Sequence, residues 1–141
     1  MLWYAHVSVA LAAVSFYTLD PFLLVVAGLV SLLPDLDRPF GHRKWFSHSL
    51  LAVGVISFVL LVYSRDPLLV LTIFVALLTH LLVDLLTKSG IPFIFPLKRH
   101  NVGLPLVKSS GRKTNKAIAI ACLTVFALNI ISTLEYTPLF F

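Results

Sequence analysis

An all-α membrane bundle of about five helices is the fold class that this chain predicts, and three observations lead there. The 141 residues are 59% hydrophobic and only 12% charged, where soluble domains run roughly 45–50% apolar and about 25% charged. The mean hydropathy is +0.98. Five apolar stretches are separated by turn residues, and ten of the eleven Lys and Arg residues are confined to two connections. A chain of this length reads as a single integral domain, residues 1–141.

The first stretch, Leu2 to Leu19, ends at Asp20-Pro21. No Lys or Arg precedes it, so it reads as a retained helix rather than a signal peptide. The second, Phe22 to Leu33, is short for a full span and stops at Pro34, which cannot continue a helix. The third, Ser47 to Tyr63, has Ser47 as a candidate N-cap and closes at Ser64-Arg65-Asp66-Pro67. The fourth is Leu68 to Leu86. The fifth, Thr114 to Leu134, opens on a candidate N-cap threonine.

Arg38, Arg43 and Lys44 lie in the connection after the second stretch, and seven bases lie between Lys88 and Lys116. Two spans separate these loops, so both face one side, which the positive-inside rule makes cytoplasmic. The N-terminus is then inside and the C-terminus outside. The expected location is a plasma (inner) membrane, crossed several times, and the absence of targeting segments suits a prokaryotic one. The net charge of +5 follows from topology, and no direct nucleic acid binding is expected. Cys122 is the sole cysteine, which rules out an intramolecular disulfide and a thiolate metal site.

The chemistry concentrates in the apolar stretch Val75 to Leu86. His80 and Asp84 stand four apart there, so both leave one helix face about 6 Å from each other. A carboxylate among hydrocarbon costs several kcal/mol unless it is paired or bound to a cation. An imidazole and a carboxylate at this spacing can clamp a metal ion, as the histidines of H-E-x-x-H helices do.

The predicted topology brings further donors to the same depth. His6 is near the cytoplasmic start of the first helix, and Asp35 and Asp37 follow the second. His42 and His48 flank the start of the third, and His80 and Asp84 occupy the last turns of the fourth. The expected metal ligands are His6, Asp35, His48, His80 and Asp84, with Asp37 and His42 in reserve. Imidazole and carboxylate without thiolate suit zinc first, with manganese, iron or cobalt as alternatives, as one or two divalent ions. A bound ion acidifies its water for ester or phosphoester hydrolysis. Arg43, Lys44, Lys98 and Arg99 are available to an anionic group, Arg43 first because it lies within the ligand loop.

Three blocks carry a family resemblance. Leu32 to Pro39 reads L-L-P-D-L-D-R-P, His42 to Leu50 reads H-R-K-W-F-S-H-S-L, and Thr79 to Pro92 reads T-H-L-L-V-D-L-L-T-K-S-G-I-P. Together they resemble the LexA-binding, inner-membrane-associated metal-dependent hydrolases, whose members read P-D-x-D, H-R-x-x-T-H-S and H-x-x-x-D-x-x-T-x-x-G. Ser47 stands where that family has Thr. The resemblance, from His6 to about Arg99, implies a metal-dependent hydrolase of the inner membrane.

More distantly, an early His, an Asp about a dozen residues before a His, and H-x-x-x-D are similar to the metal cluster of zinc-dependent phospholipases C and single-strand nucleases. That similarity implies Asp84 as a bridge between two ions. His100 lacks the carboxylate four residues on that the pattern has later, which argues for one or two ions rather than three. The resulting expectation is hydrolysis of a phosphoester, in a phospholipid or another amphiphile of the inner leaflet. Asp37 would act as general base or outer-shell carboxylate, and Arg43 would stabilise the anionic transition state.

Other readings stand beside this one. Metal or ion pairs could simply hold a non-catalytic bundle whose basic loops bind a protein partner or anionic lipid. An ion carrier would need polar residues across the whole bilayer, and the outer halves of the spans hold only isolated Ser, Thr and Asn129. Asp35 and Asp37 could cap a turn, and His42 and Arg43 could be topology signals. Ile91 to Leu97 is too short to span and either lies on the membrane surface or lines a lipid entry path.

Overall fold

The computed structural model of the chain describes residues 1–40, 46–97 and 100–136, with side chains for all of these except 37–40, 46 and 136. Among the described residues five α-helices follow one another: α1 Trp3–Val14, α2 Pro21–Val30, α3 Leu50–Ser64, α4 Pro67–Leu85 and α5 Arg112–Tyr136. Each falls within or over one of the five apolar stretches. Among the described residues there is no β-strand, only two isolated bridges.

The helix ends differ from the sequence expectation for local reasons. α1 stops at Val14 rather than near Leu19. The Ser15 hydroxyl donates to the Ala12 carbonyl at 2.8 Å, and the N–H groups of Tyr17 and Thr18 both return to the Val14 carbonyl at 3.1 Å. A serine hydroxyl that competes for backbone carbonyls favours such a turn. Asp20 then caps α2 by accepting the Leu23 N–H at 3.0 Å, with Pro21 in the first helical turn where its missing N–H costs nothing.

α2 ends at Val30 because Pro34 has no N–H to give the Val30 carbonyl. The chain tightens into a 3-10 segment, Leu33–Phe40, in which Asp35 donates its N–H to Leu32 at 3.1 Å. Ser49, not Ser47, caps α3, accepting the Ala52 N–H at 3.2 Å. Asp66 caps α4 through the N–H groups of Leu68 and Leu69, at 3.0 and 3.1 Å. α5 begins at Arg112, so Thr114 lies inside its first turn rather than at its cap.

α1 and α4 form the centre: α1 packs on α2, α4 and α5, and α4 packs on α1, α2 and α3. Ala10, Val14, Ala27 and Ala76 are buried where α1, α2 and α4 meet, small side chains that allow close helix approach. Val53, Leu77, Leu81 and Ile91 form a second cluster joining α3 and α4 to the connection before α5. That connection folds back on itself through Ile91 and Val102. Gly90 has φ +58°, and a Cβ there would collide with the Val102 carbonyl.

Large apolar side chains cover the outside. Leu51, Phe58 and Leu61 on α3, and Ile120, Leu128 and Leu134 on α5, are exposed. Pro67–Leu85 and Arg112–Glu135 are long and apolar enough to cross a membrane, and the remaining helices are shorter apolar ones.

Candidate metal centre

Four elements deliver polar side chains to one point in the core. His6 comes from α1, Asp35 from the 3-10 segment after α2, His48 from the turn before α3, and His80 and Asp84 from the last turns of α4. The four residues other than Asp35 are fully buried, and Asp35 is 8% exposed. His6, Asp35, His80 and Asp84 each place a donor atom within 4.8 Å of the others.

His48 completes the set. Its Nε2 lies 3.9 Å from Asp35 Oδ1 and 3.7 Å from Asp84 Oδ2. His80 Nε2 lies 3.8 Å from each of the same two oxygens. One oxygen of each carboxylate therefore faces the same two ring nitrogens. The other oxygen of Asp84, Oδ1, turns towards His6 Nε2 at 3.6 Å and accepts from the Met1 amino group at 2.5 Å.

Separations of 3.7–3.9 Å are too long for hydrogen bonds, which run about 2.7–3.2 Å. Ligands about 2.0–2.2 Å from a tetrahedral ion lie roughly 3.3–3.6 Å apart, so a slight contraction would bring these donors onto one ion. His80 shows the fit most clearly. Its Nδ1 donates to the Ser31 carbonyl at 2.6 Å, which leaves Nε2 as the lone-pair nitrogen facing the carboxylates. That Nε2 is buried with no hydrogen-bond partner among the described residues, a state costing about 1–3 kcal/mol unless something else satisfies it. Three imidazoles and two carboxylates, without thiolate, form a donor set suited to a divalent ion. The residues fit one.

Neighbouring contacts hold the rings. The His6 and His80 rings stack with centroids 3.9 Å apart. His48 Nδ1 lies 3.2 Å from the Ser47 hydroxyl, and the Thr87 hydroxyl donates to the Asp84 carbonyl at 2.7 Å, fastening the end of α4.

Residues 1–139 match the YdjM inner membrane protein family. The chain belongs to that family. It is similar to the inner membrane protein YdjM of Escherichia coli (strain K12), 34% identical over 119 aligned residues, covering 66% of this chain and 59% of YdjM. The same figures hold for YdjM of Shigella flexneri. The uncharacterized protein YvsG of Bacillus subtilis (strain 168) is 29% identical over 133 aligned residues, with 81% of each chain covered. No solved structure matches. Membership of a YdjM inner membrane family agrees with the location expected from composition.

In this YdjM-family chain all five expected ligands come together. The side chain of Asp37 lies outside the described residues, as do His42, Arg43, Lys44, Lys98 and Arg99. Sequence reasoning missed Ser31, which acts through its backbone carbonyl; the only signal for it was Pro34 breaking the helix just beyond. It also missed Asn115, fully buried, whose side chain accepts the Leu2 N–H at 3.0 Å.

Proposed function

We propose that the chain is a multi-pass inner membrane hydrolase that uses one or two divalent metal ions, zinc first, to cleave a phosphoester at the cytoplasmic face. The observation that carries this reading is the meeting of His6, Asp35, His80 and Asp84 donor atoms within 4.8 Å, with His48 beside them, all buried inside the bundle. The exposed apolar faces of α3 and α5 support membrane crossing, and the confinement of the bases to two loops supports the orientation.

When bound, a divalent ion supplies a water acidified towards neutral pH and an electrophilic contact for a phosphoryl oxygen. Asp84, with its oxygens turned to opposite sides, spans the cluster and sets the spacing of its ligands. The Ser31 carbonyl keeps His80 in the tautomer that can ligate. Asp37 accepts the proton of the attacking water, and Arg43 steadies the charge that grows on the phosphoryl oxygens. For a phosphodiester, the water oxygen bonds to phosphorus, the ester P–O bond breaks, and the departing alkoxide takes up the proton. A phosphate monoester and an alcohol result.

Purified protein assayed for metal content and for hydrolysis of bis-p-nitrophenyl phosphate tests this reading. Wild type should turn over, and His80→Ala and Asp84→Ala should not. Equal turnover in all three proteins rejects it. The burial of the cluster favours a second reading, a structural metal centre in a bundle whose basic loops bind a protein or anionic lipid. That reading expects retained metal with no turnover in wild type.

A further inference from the structure

We propose that the groove between α3 and residues 93–97 holds one acyl chain of an amphiphilic phosphoester whose head lies at the metal centre. The inference rests on the hydrolase reading for the fate of the head, and occupancy of the groove is testable apart from it. The groove has a volume of about 490 Å³ and is lined by residues that include Leu50, Gly54, Phe58, Phe93, Phe95 and Leu97. Its lining is apolar throughout, which suits hydrocarbon.

The position of the groove says what its occupant is. Leu50 follows His48 by two residues, with only the Ser49 cap between them. From there α3 carries the wall to Phe58, about 12 Å further along the helix. The Leu50 N–H donates to the Phe93 carbonyl at 3.0 Å, so the two walls are tied together at the end next to the ligand turn. Behind the groove, Phe93 packs on the cluster containing Leu77 and Leu81, the α4 residues flanking the His80 turn. The groove itself is lined by apolar residues, and its Leu50 end adjoins the turn that carries His48, an arrangement that suits a molecule with a hydrocarbon tail and an anionic head.

Gly54 gives the trough its depth. A Cβ built there meets nothing within 4 Å, so the helix omits a side chain on a wall where its neighbours are large. A glycine in a helix interior is unfavourable relative to alanine. Here it leaves the groove open. Ordinary membrane lipid would instead coat the outward faces of α3 and α5 alike.

The probe is a palmitoyl lysophosphatidic acid with a mid-chain diazirine, photolysed with the full chain in detergent and mapped by mass spectrometry. Crosslinks should concentrate on α3 and residues 93–97. Gly54→Leu should reduce them about tenfold, because its side chain fills the groove, while metal content and labelling of α5 stay at the wild-type level. Val55→Phe, on the same wall, serves in its place should Gly54→Leu fail to fold. His80→Ala should lower the yield of the groove crosslinks through the lost head contact and leave their positions on α3 and residues 93–97 unchanged. Labelling spread evenly over α3 and α5, or unchanged by both groove substitutions, overturns the proposal. Groove labelling without phosphoester turnover overturns the hydrolase reading and leaves the acyl site standing.

Discussion

His80 donates its Nδ1 proton to the carbonyl of Ser31 across 2.6 Å, and the bond exists because Pro34 ends α2. In an unbroken α-helix the Ser31 carbonyl would accept the N–H of Asp35. The tighter 3-10 turn sends that N–H to Leu32 instead. One proline thus releases a carbonyl for His80 and, one residue later, presents Asp35 to the same cluster. The helix break and the His/Asp cluster are one feature.

Pro34→Ala should therefore weaken metal binding. An alanine would let α2 run on and return the Ser31 carbonyl to Asp35. Loss of an outer-shell partner of a metal histidine costs about 10–100-fold in affinity. Titration against a chelating dye should show that loss with helix content unchanged or raised. Unaltered affinity would mean that the Ser31 bond does not orient His80.

Asp84→Asn tests the bridge. The amide keeps the shape but lacks the negative charge, and both of its terminal atoms face groups that suit a carboxylate: the imidazoles of His48 and His80 on one side, His6 and the Met1 amine on the other. Wild type should gain about 2.7 kcal/mol of stability at metal concentrations 100-fold above Kd, measured by unfolding with and without added zinc, and should lose it with EDTA. Asp84→Asn should show no gain. A metal-dependent shift of wild-type size in the variant would remove Asp84 from the ligand set.

How much of this centre the sequence displays depends on whether a side chain or the backbone does the work. His80 and Asp84 are conspicuous because a four-residue spacing in pure hydrocarbon has few structural excuses. Asp35 and His48 follow once the helix order sets their depth. Ser31 is hidden, since a carbonyl has no letter of its own. The α3 cap is hidden for another reason. Ser47 and Ser49 are equal candidates locally, and the tie between the Leu50 N–H and Phe93, 43 residues away in sequence, is a long-range contact that local reading does not contain. The early end of α1 belongs with these, because Phe16-Tyr17-Thr18-Leu19 stays apolar while the Ser15 hydroxyl turns the chain.

Asn129→Ala should loosen α5 without touching the metal centre. Asn129 Nδ2 donates to the Ser15 hydroxyl at 2.8 Å, just past the end of α1 and nine residues on from His6. Interhelical hydrogen bonds in membrane bundles contribute about 0.6–1.7 kcal/mol, and unfolding in mixed micelles should show a loss in that range. Zinc affinity should equal that of wild type. A fall in affinity would show that α5 docking reaches the cluster.

Two glycine-to-alanine changes should have opposite signs. Gly54 lies in the interior of α3 with open space at its Cβ position, so Gly54→Ala should stabilise the helix by roughly 0.5–1 kcal/mol through backbone entropy alone. Gly90 has φ +58°, and its Cβ would strike the Val102 carbonyl, the group that accepts the Ile91 N–H at 3.0 Å while Val102 donates back at 2.8 Å. Gly90→Ala must therefore break that pair or shift the backbone, on top of an αL penalty of about 1–2 kcal/mol. Trypsin should cut the connection after Lys88 faster in Gly90→Ala than in wild type, with helix content preserved. Equal cutting rates would mean that the Ile91–Val102 pairing does not protect this connection.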